Sequence, residues 1–162
     1  APAEVVQPLP LPASDRRSAK AAPMAADLDG VYLWLAPWAA WTESDEGGDS
    51  LFGVELALTA VRERAALGLL GVTMGAARYA EGDAGRLWAS AALGTRRGLG
   101  LMLGVSAGPI IELSELAHPR IGGGVGVWLF AGLVPFARVA AVPQRGILAE
   151  VGLEIALPLR RW

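Results

Sequence analysis

The stretch ILAEVGLEIALPLRRW, residues 147–162, constrains the fold more tightly than any other part of the chain. Val151, Leu153, Ile155, Leu157 and Leu159 take every second position, with Glu150, Gly152, Glu154 and Ala156 interleaved. Successive side chains of an extended strand point to opposite faces, so a period of two marks a strand with one apolar face. The same period recurs upstream. Val31, Leu33 and Leu35 alternate with Tyr32, Trp34 and Ala36, and Phe52, Val54, Leu56 and Leu58 alternate with Gly53, Glu55, Ala57 and Thr59. Leu99, Leu101, Leu103, Val105 and Ala107 alternate with glycine, Met102 and Ser106, and Ile121, Val125, Val127 and Leu129 alternate with Gly122, Gly124, Gly126 and Trp128.

Eight apolar blocks carry the chain: 31–41, 51–61, 65–79, 86–95, 98–113, 120–130, 133–142 and 146–159. Charges and turn residues separate them, as connections require. A helix needs about 20 apolar residues to cross a bilayer. The best candidate, 121–137, is shorter, carries five glycines and a proline, and runs straight into Arg138. Transmembrane helices are therefore not what this pattern encodes, and 21 glycines with 11 prolines do not suit helices in any case.

The two faces of the strands decide the surroundings. A water-facing sheet puts Lys, Glu and Thr on its second face. Here that face is mostly Gly, Ala and Ser, with isolated charges at Glu55, Arg138, Glu150 and Glu154 and further candidates at Arg78 and Arg96. Such a face suits a crowded interior, and the unbroken Leu/Val face suits lipid. A strand crosses a bilayer in about 9–11 residues, and every backbone group must then pair, which closes the sheet into a barrel. The expected fold is all-β: an eight-stranded antiparallel up-and-down transmembrane barrel over 30–162, behind a disordered Pro/Ala-rich tail over 1–29.

Loop lengths add to this. Connections two, four and six read as short turns (62–64, 96–97 and 131–132), whereas 42–49, 80–85 and 112–118 are longer and only 143–145 is short among the odd ones. Segment 30–162 thus resembles the small eight-stranded outer-membrane barrels, of the type of the outer membrane protein A transmembrane domain or outer membrane protein X. The resemblance rests on pattern, loop alternation and the C-terminal aromatic Trp162. It implies an outer-membrane location in a Gram-negative bacterium, a periplasmic tail, short periplasmic turns and contact with outer-membrane lipids and lipopolysaccharide. In that family apolar residues precede the terminal aromatic at every second position. Here Arg160, Pro158, Ala156 and Glu154 hold those positions. Either Trp162 lies beyond the last strand, or a bulge near Pro158 turns it back toward lipid.

Eight strands leave a lumen just wide enough for side chains to fill, so a diffusion pore is not expected. Lumen charges must then pair, since stranding one partner of a buried pair costs about 3–5 kcal/mol. If Pro143-Gln144-Arg145 is the last turn, Arg138 lies opposite Glu150. The lumen network expected is Glu55, Arg138, Glu150 and Glu154. Trp38, Trp41 and Trp162 are assigned to the membrane interfaces, and Trp34, Trp128 and Phe136 to the lumen.

Other functions weigh less. Ser114, Glu115 and His118 lie together in the fifth connection and are the residue types of acyl transfer, so a barrel lipid hydrolase or acyltransferase is the enzymatic alternative. A soluble small-ligand-binding barrel is the other. The chain has no Cys and a single His, so neither a disulfide nor a metal site is expected, and its net charge of −2 offers no field for nucleic acid. The glycine clusters at 98–104 and 122–126 lack the helix that a phosphate loop needs, and no cofactor is expected. An Ala-Pro start followed by a first stretch with no apolar run suits a mature N-terminus after leader removal, and QPLPLP at 7–12 is a polyproline stretch that could dock an envelope partner. The function read from the sequence is structural: a monomeric anchor, surface scaffold or component of an envelope assembly, binding partners through its tail or outer loops.

Overall fold

A computed structural model describes residues 28–162 apart from 46, 63–64, 82, 97–100, 114–117 and the side chain of Arg96. The expected disordered tail therefore falls outside the described residues, save for its last two. The strands are β1 (Gly30–Ser44), β2 (Gly47–Val61), β3 (Leu69–Tyr79), β4 (Gly85–Arg96), β5 (Met102–Leu113), β6 (Arg120–Phe130), β7 (Val134–Val142), β8 (Gly146–Glu154) and β9 (Leu157–Arg161). Each pairs antiparallel with its sequence neighbour as far as β8, and β1 pairs with β2 on one side and with β8 and β9 on the other, so the sheet closes. β8 and β9 are two lengths of one barrel strand. They part at residues 155–156, opposite Pro37: Ile155 donates its N–H to the Pro37 carbonyl at 3.1 Å, and proline has no N–H to return. The barrel thus has the eight strands that the sequence predicts.

Register fixes its shape. One row of paired residues runs Tyr32, Thr59, Gly71, Ala92, Ser106, Gly126, Arg138, Glu150 and returns to β1 at Thr42, ten residues from its start. With a rise of about 3.3 Å and a strand spacing of about 4.8 Å, that stagger tilts eight strands by about 41° and leaves about 2.5 Å of height per residue.

The outer face is hydrocarbon. Val54, Leu56, Val72, Met74, Val105, Val125, Val139 and Val151 all point outward and are 43–62% exposed. Among the described residues, outward charges on the strands stand only at the ends: Glu43 and Arg78 at the far end, and Arg160, paired opposite Leu33, at the end that holds the termini. From the level of Leu33 to Glu43 is ten residues, about 25 Å of height, which is the depth of the apolar band of outer-membrane barrels.

Three expectations need correction. The stretch 42–49 is not a loop: β1 and β2 run on to Ser44 and Gly47, paired throughout, and only 45–46 fall between them. The second and fourth connections are 62–68 and 97–101, longer than the charge runs at 62–64 and 96–97 suggest, so lengths do not alternate. At 42–49 the physical reason is that backbone pairing continues past the apolar part of a strand, so charge marks where lipid contact stops and not where the ladder stops; at 65–68 the reverse holds, and apolar residues lie outside the ladder. Arg78 is no lumen charge either; it points outward, exposed, with Asp83 at 3.1 Å.

The end of the chain resolves the question of phase. Pro158 pairs with Trp34 but Arg160 pairs with Leu33, so Leu159 is an extra residue in the strand. After this bulge Trp162 exchanges backbone hydrogen bonds with outward-facing Val31, at 2.9 and 3.2 Å, and its ring is 55% exposed. The bulge restores the aromatic to the lipid face.

Candidate functional site in the barrel lumen

Lumen side chains divide the barrel into two halves. In the far half, Leu51, Ile110, Val142 and Leu148 are all but inaccessible, and they enclose polar groups that are equally buried: Arg86, Glu112 and Glu150 are 1%, 0% and 3% exposed. Arg86 is the hub. Its Nε donates to Glu112 and its Nη1 to Glu150, while Nη2 donates to the Tyr79 hydroxyl at 2.7 Å. The Tyr79 hydroxyl in turn donates a hydrogen bond to Glu112 Oε2 at 2.9 Å. From the last turn Arg145 reaches back over the Tyr79 ring, 5.1 Å from its centroid, and donates to Glu112 at 3.2 Å. A charged group this deep persists only when paired on several sides, and the fork of a guanidinium satisfies two carboxylates at once.

Sequence reasoning places Arg138 opposite Glu150, and the two are paired across β7 and β8 with Nη1 and Oε1 3.5 Å apart. Neither of those atoms makes a hydrogen bond, so Glu150 is held chiefly by Arg86. Glu55 accepts from Trp88 Nε1 at 2.6 Å, and Glu154 faces the lumen at the same level. All four expected lumen charges point inward. Arg86, Glu112, Tyr79 and Arg145 were missed because they sit at or beyond the ends of the apolar blocks. Parity could have found two of them, since Arg86 shares a face with Trp88, and Glu112 with Ile110.

Trp38 is corrected. It is not an interfacial residue but is 6% exposed in the lumen, edge-on to Trp88 at 5.0 Å and to Phe136 at 5.7 Å. Its even position on β1, shared with Trp34, decides its face. Trp41, odd, lies outside and half exposed, its Nε1 donating to Glu43 at 3.1 Å. Trp34 and Trp128 are inside, as expected. Gly75 and Gly104 make room for this layer: a Cβ at either would run into the ring of Trp88 or Trp128.

The half toward the termini is less full than the sequence suggests. Trp34, Trp128 and Phe130 line a cavity of about 250 Å³ whose floor is Glu55, Glu154 and Arg138 and whose lining runs out to exposed Leu28. Of the acyl-transfer candidates, Ser114 and Glu115 lie outside the described residues, and His118 is exposed at the far end. Among the described residues no group of His, Asp and Glu is arranged to hold a metal.

Comparison with solved structures matches this architecture. The crystal structure of Neisserial surface protein A aligns with TM-score 0.50 and 16% identity over 79% of this chain and 96% of that one. This is the fold of a small outer-membrane barrel. A de novo designed transmembrane β-barrel aligns equally well, with TM-score 0.50 and 13% identity over 76% of this chain and 95% of that one. Since a designed barrel and a bacterial surface protein match it alike, the likeness speaks for the fold and not for a partner. Neither a scan against protein-family models nor a search of curated proteins returned a match.

Proposed function

We propose that this barrel resides in the outer membrane of a Gram-negative bacterium as an anchor or surface scaffold, with its N-terminal tail in the periplasm and its outer loops or tail available to an envelope partner. The observation that carries the reading is an outer band about 25 Å deep, free of charge among the described residues, around a lumen whose far half is packed. The band is the size of a bilayer core and supports residence in lipid. The buried Arg86–Glu112–Glu150 cluster supports a rigid support over a conduit, because hydrated ions would have to displace its paired charges.

Fractionation of the native host tests the first part. The protein should stay in the outer-membrane fraction after a urea wash, be extracted by detergent, and migrate faster on gels when unheated; recovery in the soluble fraction would overturn the assignment. Reconstitution into planar bilayers tests the second part, with the expected result that no steady ion conductance appears. Co-purification from native outer membranes, comparing the full chain with one lacking residues 1–20, tests the tail as the docking element.

A further inference from the structure

The cavity in the terminal half has a chemistry that packing alone does not call for. Its walls are aromatic, with Trp34, Trp128 and Phe130 among them, and its inner end is closed by the Trp38–Trp88–Phe136 layer. An apolar void of this kind could close around itself at no electrostatic cost. Instead two carboxylates line its floor.

Glu55 is fixed by Trp88 Nε1. Glu154 makes no hydrogen bond or ion pair with any described residue, and its charged neighbours are Glu55 and Arg138. Arg138 is already drawn to Glu150, with its guanidinium over the Trp88 and Phe136 rings at 5.4 and 5.6 Å. One guanidinium thus serves three carboxylates, and Glu154 has no hydrogen bond from it. A carboxylate so placed at the end of an aromatic-walled cavity lacks one thing, a cation that donates hydrogen bonds. Aromatic faces add their own attraction for a cation, and the walls take up an apolar body.

We infer that the cavity binds a small aromatic or apolar ammonium ion, entering from the end that holds the termini, with its –NH₃⁺ on Glu154 and its body between Trp34 and Trp128. At about 30 Å³ for each water-sized group the volume admits about eight, so the ligand is of the size of 2-phenylethylammonium. The inference stands apart from where the barrel resides and from what its loops bind.

Calorimetric titration of the full refolded chain in uncharged detergent micelles, against micelles alone, provides the test at mildly alkaline pH, where both Glu154 and the amine carry their charge. The probes are 2-phenylethylammonium and its neutral isostere 2-phenylethanol. Saturable binding with one site is expected for the amine, and binding weaker by at least about tenfold for the alcohol. Glu154→Gln should weaken the amine by about tenfold or more and leave the alcohol unchanged, since only the charge is lost. Ala57→Phe, which fills the cavity from β2, should abolish both. Equal affinity for the two probes, an unchanged amine affinity in Glu154→Gln, or no saturable heat up to the solubility of the amine would each overturn the inference. Should Glu154→Gln fail to fold, as judged by heat-modifiable migration, the comparison of the two probes on the unaltered protein and the Ala57→Phe variant still decides it.

Discussion

Replacing Arg86 with methionine removes the hub of the far-half cluster while keeping a side chain of similar reach. The change deletes three hydrogen bonds, two of them to carboxylates that are themselves 0% and 3% exposed. Glu112 keeps Arg145 at 3.2 Å and the Tyr79 hydroxyl at 2.9 Å; Glu150 keeps only Arg138 at 3.5 Å, without a hydrogen bond. Glu150 is therefore the carboxylate left stranded, and the penalty for one uncompensated buried charge is about 3–5 kcal/mol. With a urea slope of about 2 kcal/mol/M, a loss near 4 kcal/mol lowers the unfolding midpoint by about 2 M. Tryptophan fluorescence of the barrel refolded into lipid vesicles reads that midpoint. The reasoning makes a second demand. Adding Glu150→Gln to Arg86→Met neutralises the stranded group and should recover more than half of the loss. A shift of the single variant below about 0.5 M, equivalent to about 1 kcal/mol, or a double variant no more stable than the single one, would refute the account.

Further outcomes follow from position. Met74→Arg puts a charge on the outer face midway along β3 and should cost about 2–4 kcal/mol in vesicles, whereas Leu70→Arg near the end of the same strand should cost about 1 kcal/mol or less; equal costs in urea unfolding would speak against a membrane-spanning band. Gly75→Ala should cost about 1–3 kcal/mol by the same measurement, because the added methyl meets the Trp88 ring that holds Glu55. Trp38→Ala should cost about 3–5 kcal/mol and Trp41→Ala about 1 kcal/mol or less, since one ring is packed on two others and its neighbour on the outer face is half exposed.

Much of the fold was legible because a strand between lipid and a narrow lumen has a strict side-chain period, and each apolar block states its own register. The Arg138 and Glu150 pairing followed from a three-residue turn and simple counting. What was not legible lay where that period had no apolar partner to display it. Asp49 and Ser50 continue β2 as surely as Leu51 does, yet their polarity reads as loop. Arg86 and Glu112 stand at strand ends for the same reason. Trp38 was misread because its place along the barrel was considered without its parity, and the cavity because residue types do not reveal how well rings fill a cylinder.

The proline opposite Ile155 and the extra residue at Leu159 both fall on the line where the first and last strands meet. That line is the only one of the eight that must form between distant parts of the chain, and until it does the sheet has two free borders. A border with a missing donor and a kinked pitch is a poor template for another copy's strand. The irregularities that weaken the joint thus also discourage unclosed sheets from adding to one another, and closure within a single molecule wins because its two borders carry matching faults.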